Sequence, residues 1–330
     1  MSIQWYPGHM HKAQKAISEA LPQVDLLIEV LDARIPYSSE NPAIERLRGD
    51  KPCIKVLSKS DLADPELTTA WQASLEQERG VKTFPTNTAE PGRTRQLIDL
   101  CRKMVPDKVA RGKNITVMIV GIPNVGKSTL INALADRVIA RTGNEPAVTK
   151  NQQRINLGDG VVLLDTPGIL WPKIENPDSG YRLAATGAIK NTAMAFDDVS
   201  FFVVEYLREA YPELLRKHFK LEALADTELA ILEQAGIRRG AIRAGGRVDL
   251  TRISEMLINE LRAGKMGRIT LETPAMIVEE KAAVAAAQAK KAEQDAERKR
   301  QFKAGSRNAD RGDSKAQPTA KASRKKPRHK

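Results

Sequence analysis

A doubly wound, mostly parallel α/β sheet, followed by a small all-helical region and a basic tail, is the fold class predicted for this 330-residue chain. Three observations predict it. Short apolar runs alternate with segments of helical spacing as far as about residue 170, the pattern of strand–helix–strand crossovers onto a parallel sheet. From about residue 180 the helical period continues with no convincing strand between. After about residue 280 the large apolar residues thin out, and Lys and Arg take over. The expected boundaries are 1–178 for the α/β domain, 179–278 for the helical one and 279–330 for the tail.

The first strand is read at 24–31 (VDLLIEVL), a nearly continuous apolar run that marks a strand buried on both faces. A second, at 53–57 (CIKVL), runs into Ser58-Lys59-Ser60-Asp61. A helix at 65–79 opens on Pro65, whose missing N–H has no partner in a first turn anyway. A short strand at 81–85 and a helix at 92–104 follow. The strand 115–120 (ITVMIV) enters a glycine-rich loop, and a helix at 127–136 leaves it. The strand 161–165 (VVLLD) ends in Asp165-Thr166-Pro167-Gly168. Helical spacing then covers 181–191, 200–217, 226–235 and 249–263. Residues 279–303, rich in Ala, Glu, Lys and Arg, suit a solvent-exposed helix, and from Gly305 onward the composition predicts disorder.

Composition narrows the function classes. The only cysteines, Cys53 and Cys101, form no CxxC, which excludes a zinc knuckle and a disulfide framework. The N-terminal residues lack the apolar stretch of a signal peptide, and no window approaches the roughly 20 apolar residues of a membrane span. A soluble, cytoplasmic monomer is expected, with no membrane partner. The net charge of +12 is unevenly placed: residues 281–330 hold 16 Lys and Arg against 5 Asp and Glu, so the other 280 residues are close to neutral. A tail of that kind suits a polyanion, nucleic acid above all, and no DNA partner is expected. The plainer reading is a solvated end that aids solubility.

The chemistry lies in three short motifs. Gly121-Ile-Pro-Asn-Val-Gly-Lys-Ser-Thr129 satisfies GxxxxGK[ST]. Its glycines let the backbone wrap phosphate, so that successive N–H groups and a helix N-terminus face the anion. Asn124, Val125, Gly126, Lys127, Ser128 and Thr129 are the expected phosphate-side residues. Lys127 is expected on the β and γ phosphates and the Ser128 hydroxyl on Mg²⁺. In DTPG, Asp165 supports Mg²⁺ through water and the Gly168 N–H touches the γ phosphate. A switch threonine between these motifs would complete the Mg²⁺ shell, and Thr149 and Thr142 both qualify. The third motif, SKSD, resembles a guanine-reading loop. Asp61 can accept from the ring N–H and exocyclic amine of guanine, where adenine offers the wrong donors, and Lys59 can lay its stem along the base. Ser58 replaces the usual Asn. Thr86, Asn87 and Thr88, after the next strand, are candidates to back the base.

Motif order is as informative as motif content. The guanine loop precedes the phosphate loop by about sixty residues, the reverse of an ordinary GTPase. A circularly permuted domain explains this, because an open parallel sheet needs its strand ends assembled in space and not in any one chain order. The permutation also sends the DTPG segment directly into the helical region.

Taken together, WYPGHMHKA (residues 5–13), LDARIPYSSENP (31–42), SKSD, GIPNVGKST, DTPGIL and the 246–272 segment resemble the ribosome biogenesis GTPase A family, over roughly residues 3–275. The resemblance implies a GTPase acting late in assembly of the bacterial large ribosomal subunit. GTP and Mg²⁺ are its cofactors, and ribosomal RNA in a precursor particle is its partner. It selects Thr149 over Thr142. Ile169 stands where Ras-like enzymes carry a water-orienting Gln. The resemblance points to His9 for that role, against the alternative of a surface or RNA-contacting histidine. A likeness to K⁺-activated GTPases places a K⁺ ligand at Asn124. Arg238, Arg239, Arg243, Arg247 and Arg252 cluster in the helical region as candidate RNA contacts. The competing reading is a GTP-sensing RNA-binding module with little turnover.

Overall fold

The computed structural model describes residues 8–87, 92–139 and 153–312, with the side chains of 8, 9, 94 and 300–312 outside the description. Helix α1 (Gly8–Ala20) leads into strand β1 (Leu26–Asp32); β2 (Cys53–Ser58) pairs with β1, and β3 (Val81–Pro85) with β2. Strand β4 (Ile115–Gly121) pairs on the other side of β1, then β6 (Val161–Asp165), then β5 (Gln153–Gly158), giving the order β3-β2-β1-β4-β6-β5. All neighbours are parallel except β5 on β6. Strands β1 and β2 are buried along their full length, which is why their sequences run apolar without alternation.

Helices α2 (Pro42–Arg48), α3 (Pro65–Leu75), α4 (Gly92–Met104), α5 (Pro106–Ala110) and α6 (Lys127–Ala135) flank the sheet. Several open with a side-chain cap followed by proline. Asn41 accepts the Ala43 N–H ahead of Pro42, and Asp64 accepts from Glu66 and Leu67 ahead of Pro65. Strand β5 is the one ordered strand the apolar pattern does not predict. It is an edge strand, largely exposed, with Ile155 its buried residue, so it carries no apolar run.

The second half is helical: α7 (Pro177–Thr186), α8 (Phe196–Ala210), α9 (Pro212–Phe219), α10 (Glu228–Arg239) and α11 (Leu250–Arg262). The single helix expected at 200–217 is two. Pro212 has no N–H to donate and holds Tyr211 out of helical geometry (φ −139°, ψ 50°), so the chain turns there. In α11, Ile253, Leu257, Ile258 and Leu261 are buried at helical spacing, and they join one core that is continuous from the sheet through α8 and α10.

Residues Met1–Val278 form one compact unit and Glu279–Lys330 a second. Within the first, a strap at 269–272 laces the helical region to the loops after β1 and β2. Ile269 N–H donates to Leu62 O (3.0 Å), Leu271 N–H to Arg34 O (2.8 Å) and Trp71 Nε1 to Glu272 O (3.0 Å). The Glu272 carboxylate is fully buried and accepts from the Ser38 N–H (3.0 Å) and hydroxyl (2.5 Å), with Arg182 at 3.5 Å. Burial pushes this carboxyl up to about 6 against the pull of Arg182 and Ser38. Helix α12 (Pro274–Gly312) starts with Ile277 packed in a small cluster with Leu31, Leu57 and Trp71. It begins earlier than the expected 279 and runs past Gly305, where disorder is expected; residues 313–330 lie outside the described residues.

Candidate functional site

The phosphate-loop motif sits at the carboxyl end of β4, the strand between β1 and β6. Gly121 is required there: a Cβ would lie 2.8 Å from Val30 O on β1. Asn124 (φ +57°) and Gly126 (φ +99°) both take the left-handed conformation that wraps the loop, and Lys127 starts α6. Ser128 and Thr129, in the first turn of α6, are half-buried. Lys127 Nζ donates to Asp165 Oδ1 (2.8 Å) and to Thr166 O, joining the phosphate loop to the end of β6. Burial lowers this ammonium below its ordinary range, while Asp165 opposes the shift. The DTPG backbone lies flat on the loop: a Cβ on Gly168 would stand 3.2 Å from Pro123. The Ile169 N–H donates to Gly121 O (3.1 Å) and its side chain is buried in the core.

The SKSD motif reaches the same place from the end of β2. Ser58 is 6 % exposed, and its Oγ lies between the carbonyls of Leu31 (2.8 Å) and Val125. It therefore braces β1 against the phosphate loop. Lys59 (φ +56°) donates from Nζ to Asn124 O (2.8 Å) and to Asp32 Oδ2 (2.8 Å). Asp61 is exposed in the turn that the Leu62 N–H closes onto Lys59 O (2.9 Å). The Ser60 N–H donates to Thr86 O (3.2 Å), so Thr86 and Asn87 line up beside the motif. Thr88, Thr142 and Thr149 lie outside the described residues.

His9 lies in α1, with its side chain outside the description. Its neighbour Met10 is fully buried, and the Leu170 N–H points at the Met10 sulfur (3.4 Å). The start of α1 is therefore packed on the segment that follows DTPG. The five arginines are exposed, but three are already paired: Arg238 with Glu222 (3.8 Å), Arg239 with Glu260 (3.0 Å) and Arg243 with Asp249 (2.8 Å). Arg247 and Arg252 have no carboxylate at ion-pair distance among the described residues.

Asp32 and Arg34, to which the sequence motifs assign no role, belong to the site as well. The Asp32 carboxylate is clamped by Arg34 Nε (2.9 Å) and Nη2 (2.8 Å) as well as by Lys59. Burial by itself would raise this carboxyl; Arg34 and Lys59 outweigh it and hold the group far below the usual range. The position of Asp32 at the end of a strand beside the guanine-loop strand was the available signal.

Hydroxyl and carboxylate oxygens, Ser128 and the buried Asp165, flank Lys127, which is the donor chemistry Mg²⁺ takes when phosphate oxygens and water complete its shell. No group of three or more His, Cys, Asp or Glu suited to a metal occurs among the described residues, so such an ion would depend on the nucleotide for most of its ligands. The phosphate loop, the DTPG segment and the parallel sheet define a P-loop GTPase, a nucleotide hydrolase.

Comparison with known proteins narrows the class. Residues 116–234 match the family model for the 50S ribosome-binding GTPase. A Bacillus pumilus ribosome biogenesis GTPase A is 42 % identical over 281 residues, covering 83 % of this chain and 99 % of that protein. The Thermotoga maritima protein of the same name is 32 % identical over 272 residues, covering 82 % and 95 %. Among solved structures, GNP-bound YlqF from Thermotoga maritima superposes with a TM-score of 0.55 at 28 % identity, covering 80 % of this chain and 98 % of that one. A GDP-bound YlqF gives 0.54, covering 79 % and 99 %. The chain belongs to the ribosome biogenesis GTPase A family: it binds and hydrolyses GTP and serves ribosome assembly. Among the described residues no helix is long and apolar enough to cross a membrane.

Proposed function

We propose that this protein is a circularly permuted GTPase acting at a late step of large-subunit assembly, where it engages ribosomal RNA in a precursor particle in the cytoplasm. The observation that carries the reading is the junction of SKSD and the phosphate loop, Lys59 on Asn124 O at 2.8 Å. Two loops in the reverse of the usual chain order meet at the carboxyl ends of parallel strands, the crevice where open sheets bind nucleotides. In this reading Asp61, exposed at that edge, selects guanine. Thr86, Asn87 and Thr88 back the base, and Lys127 turns from Asp165 to the β and γ phosphates. Mg²⁺ is held by Ser128, Thr149 and, through water, Asp165; when bound it supplies charge neutralisation along the triphosphate. K⁺ at Asn124 belongs to the same reading.

Ile169, its side chain buried in the core, has no group to orient water, so turnover waits on another residue and on the particle. His9, on the helix whose Met10 meets Leu170, is assigned to the attacking water. Arg247 and Arg252, with Arg238, Arg239 and Arg243 around them, are assigned to RNA, and the chain acts as a monomer. The test is single-turnover GTP hydrolysis with and without large subunits, in wild type and His9→Ala. Large subunits are expected to accelerate the wild type at least tenfold, about 1.4 kcal/mol of barrier. His9→Ala is expected to lose most of that gain at little change in GTP affinity. No acceleration of the wild type removes the particle as activator, and full stimulation of His9→Ala removes the histidine from catalysis.

A further inference from the structure

We propose that Arg262, at the end of α11 in the helical region, is a positioning residue for the phosphate loop, acting on Asn124 from two sides. The first route runs through the C-terminus of α7. The Arg262 guanidinium donates from Nη2 to Ala184 O (2.6 Å) and from Nε to Ala185 O (3.0 Å), and from Nη1 to Asn191 Oδ1 (2.9 Å). An arginine on the last carbonyls of a helix is an ordinary C-terminal cap. This cap, unlike most, is linked onward to the nucleotide loop. The helix closes on Gly187 in the left-handed conformation (φ +86°), and the Gly187 carbonyl accepts the Asn124 side-chain amide at 2.8 Å. The guanidinium also covers Gly187, with Nε 3.4 Å from where a Cβ would stand.

The second route runs through the other face of the same loop. The Arg262 and Leu261 carbonyls accept from Arg34 Nη1 (3.4 and 3.5 Å). Arg34 clamps Asp32, Asp32 accepts from Lys59 Nζ, and Lys59 Nζ donates to the Asn124 carbonyl. Both routes end on one residue: the first carries the Arg262 guanidinium to the Asn124 amide, and the second carries the Leu261 and Arg262 main-chain carbonyls, which Arg262→Ala leaves in place, to the Asn124 carbonyl. That residue is a non-glycine held at φ +57° within the loop that must present N–H groups to phosphate. Asparagine tolerates the left-handed conformation better than most non-glycine residues, and the contacts on its amide and carbonyl fix its geometry there. Arg262 is more than a hundred residues from the loop in sequence, and its guanidinium is taken up by Ala184, Ala185 and Asn191. Its role is therefore to set loop geometry, and through it the affinity for guanine nucleotides.

The experiment is a double-mutant cycle on the full chain, with a fluorescent GDP analogue as probe. Arg262→Ala is expected to raise the Kd at least about threefold, within the range that coupled networks show. In an Asn124→Ala background most of that loss is expected to disappear, because the side-chain amide through which the capped end of α7 reaches the loop is gone. A merely structural role for Arg262 would give the same fold-loss in both backgrounds. That additivity would overturn the proposal, as would an unchanged Kd in an Arg262→Ala protein that melts as a folded chain. Should Arg262→Ala fail to fold, Asn191→Ala removes only the Nη1 acceptor and loosens the same guanidinium. The same cycle is then run with that variant, with a smaller loss expected, and an unchanged Kd or additivity there overturns the proposal equally.

Discussion

Replacing Glu29 by glutamine is expected to remove most of the stability this protein loses between pH 5 and pH 7.5. Glu29 is central on β1, 2 % exposed, in register with Lys55 on β2. Together with Glu40 and Glu78 it makes three carboxylates, set among two cations, Lys55 and Arg48. Lys55 is paired to Glu40 and to Glu78 (3.1 Å), and Arg48 to Glu78. The cluster balances if one carboxyl keeps its proton, and the most buried one does. Burial first, then the charge of Glu40, raises Glu29 from an ordinary 4.5 to about 8. The sign follows from proton counting. Above pH 4.5 the unfolded chain releases this proton and the folded one does not, so stability falls at about 1.4 kcal/mol per pH unit until the folded group titrates near 8. Between pH 5 and pH 7.5 the loss is about 3 kcal/mol. Glu29→Gln removes the titration and retains the Oε1 acceptor that the Asn41 N–H uses at 3.1 Å. Urea unfolding of both proteins across this window measures the difference. Glu272, raised to about 6, shifts both curves alike. Parallel profiles for wild type and Glu29→Gln would refute the reasoning.

Three further outcomes are expected. Asp61→Asn replaces an acceptor by a donor at the guanine edge; GTP should weaken and xanthosine triphosphate should bind better, while equal GTP affinity would take Asp61 out of the site. Lys127→Ala and Ser128→Ala should each abolish productive GTP binding. Lys127→Ala should also cost stability, of order 3 kcal/mol, because it leaves the buried Asp165 without its cation; melting curves separate the two effects. Deleting residues 281–330 removes 16 basic groups. If even five engage single-stranded RNA, the log–log salt slope of binding should fall by roughly 3.5, and an unchanged slope would show the tail to be idle.

Local chemistry determined what the sequence discloses alone. A glycine-rich turn between an apolar strand and a helix, a lysine and a hydroxyl at its end, and an acidic turn after a second strand are short motifs whose residue types are dictated by phosphate and metal. The buried strands β1, β2, β4 and β6 are legible for a related reason: a strand covered on both faces is mostly apolar, and the buried Glu29 and Lys55 interrupt β1 and β2 without hiding the run. What fails locally fails where context decides. Strand β5 is ordered by pairing with β6 at an exposed edge and buries too little to leave a pattern. The break at Tyr211–Pro212 is a proline effect inside an apolar helical run, where the period continues across the turn. The tertiary structure alone showed the Ser58 hydroxyl bracing Leu31 against Val125. It alone also joined Arg34, Arg262 and Gly187 to the nucleotide loops. Most of those contacts are side-chain hydrogen bonds to backbone carbonyls far away in the chain. A carbonyl is present at every residue, so its use as a partner leaves no mark on residue type, and only the folded geometry reveals it.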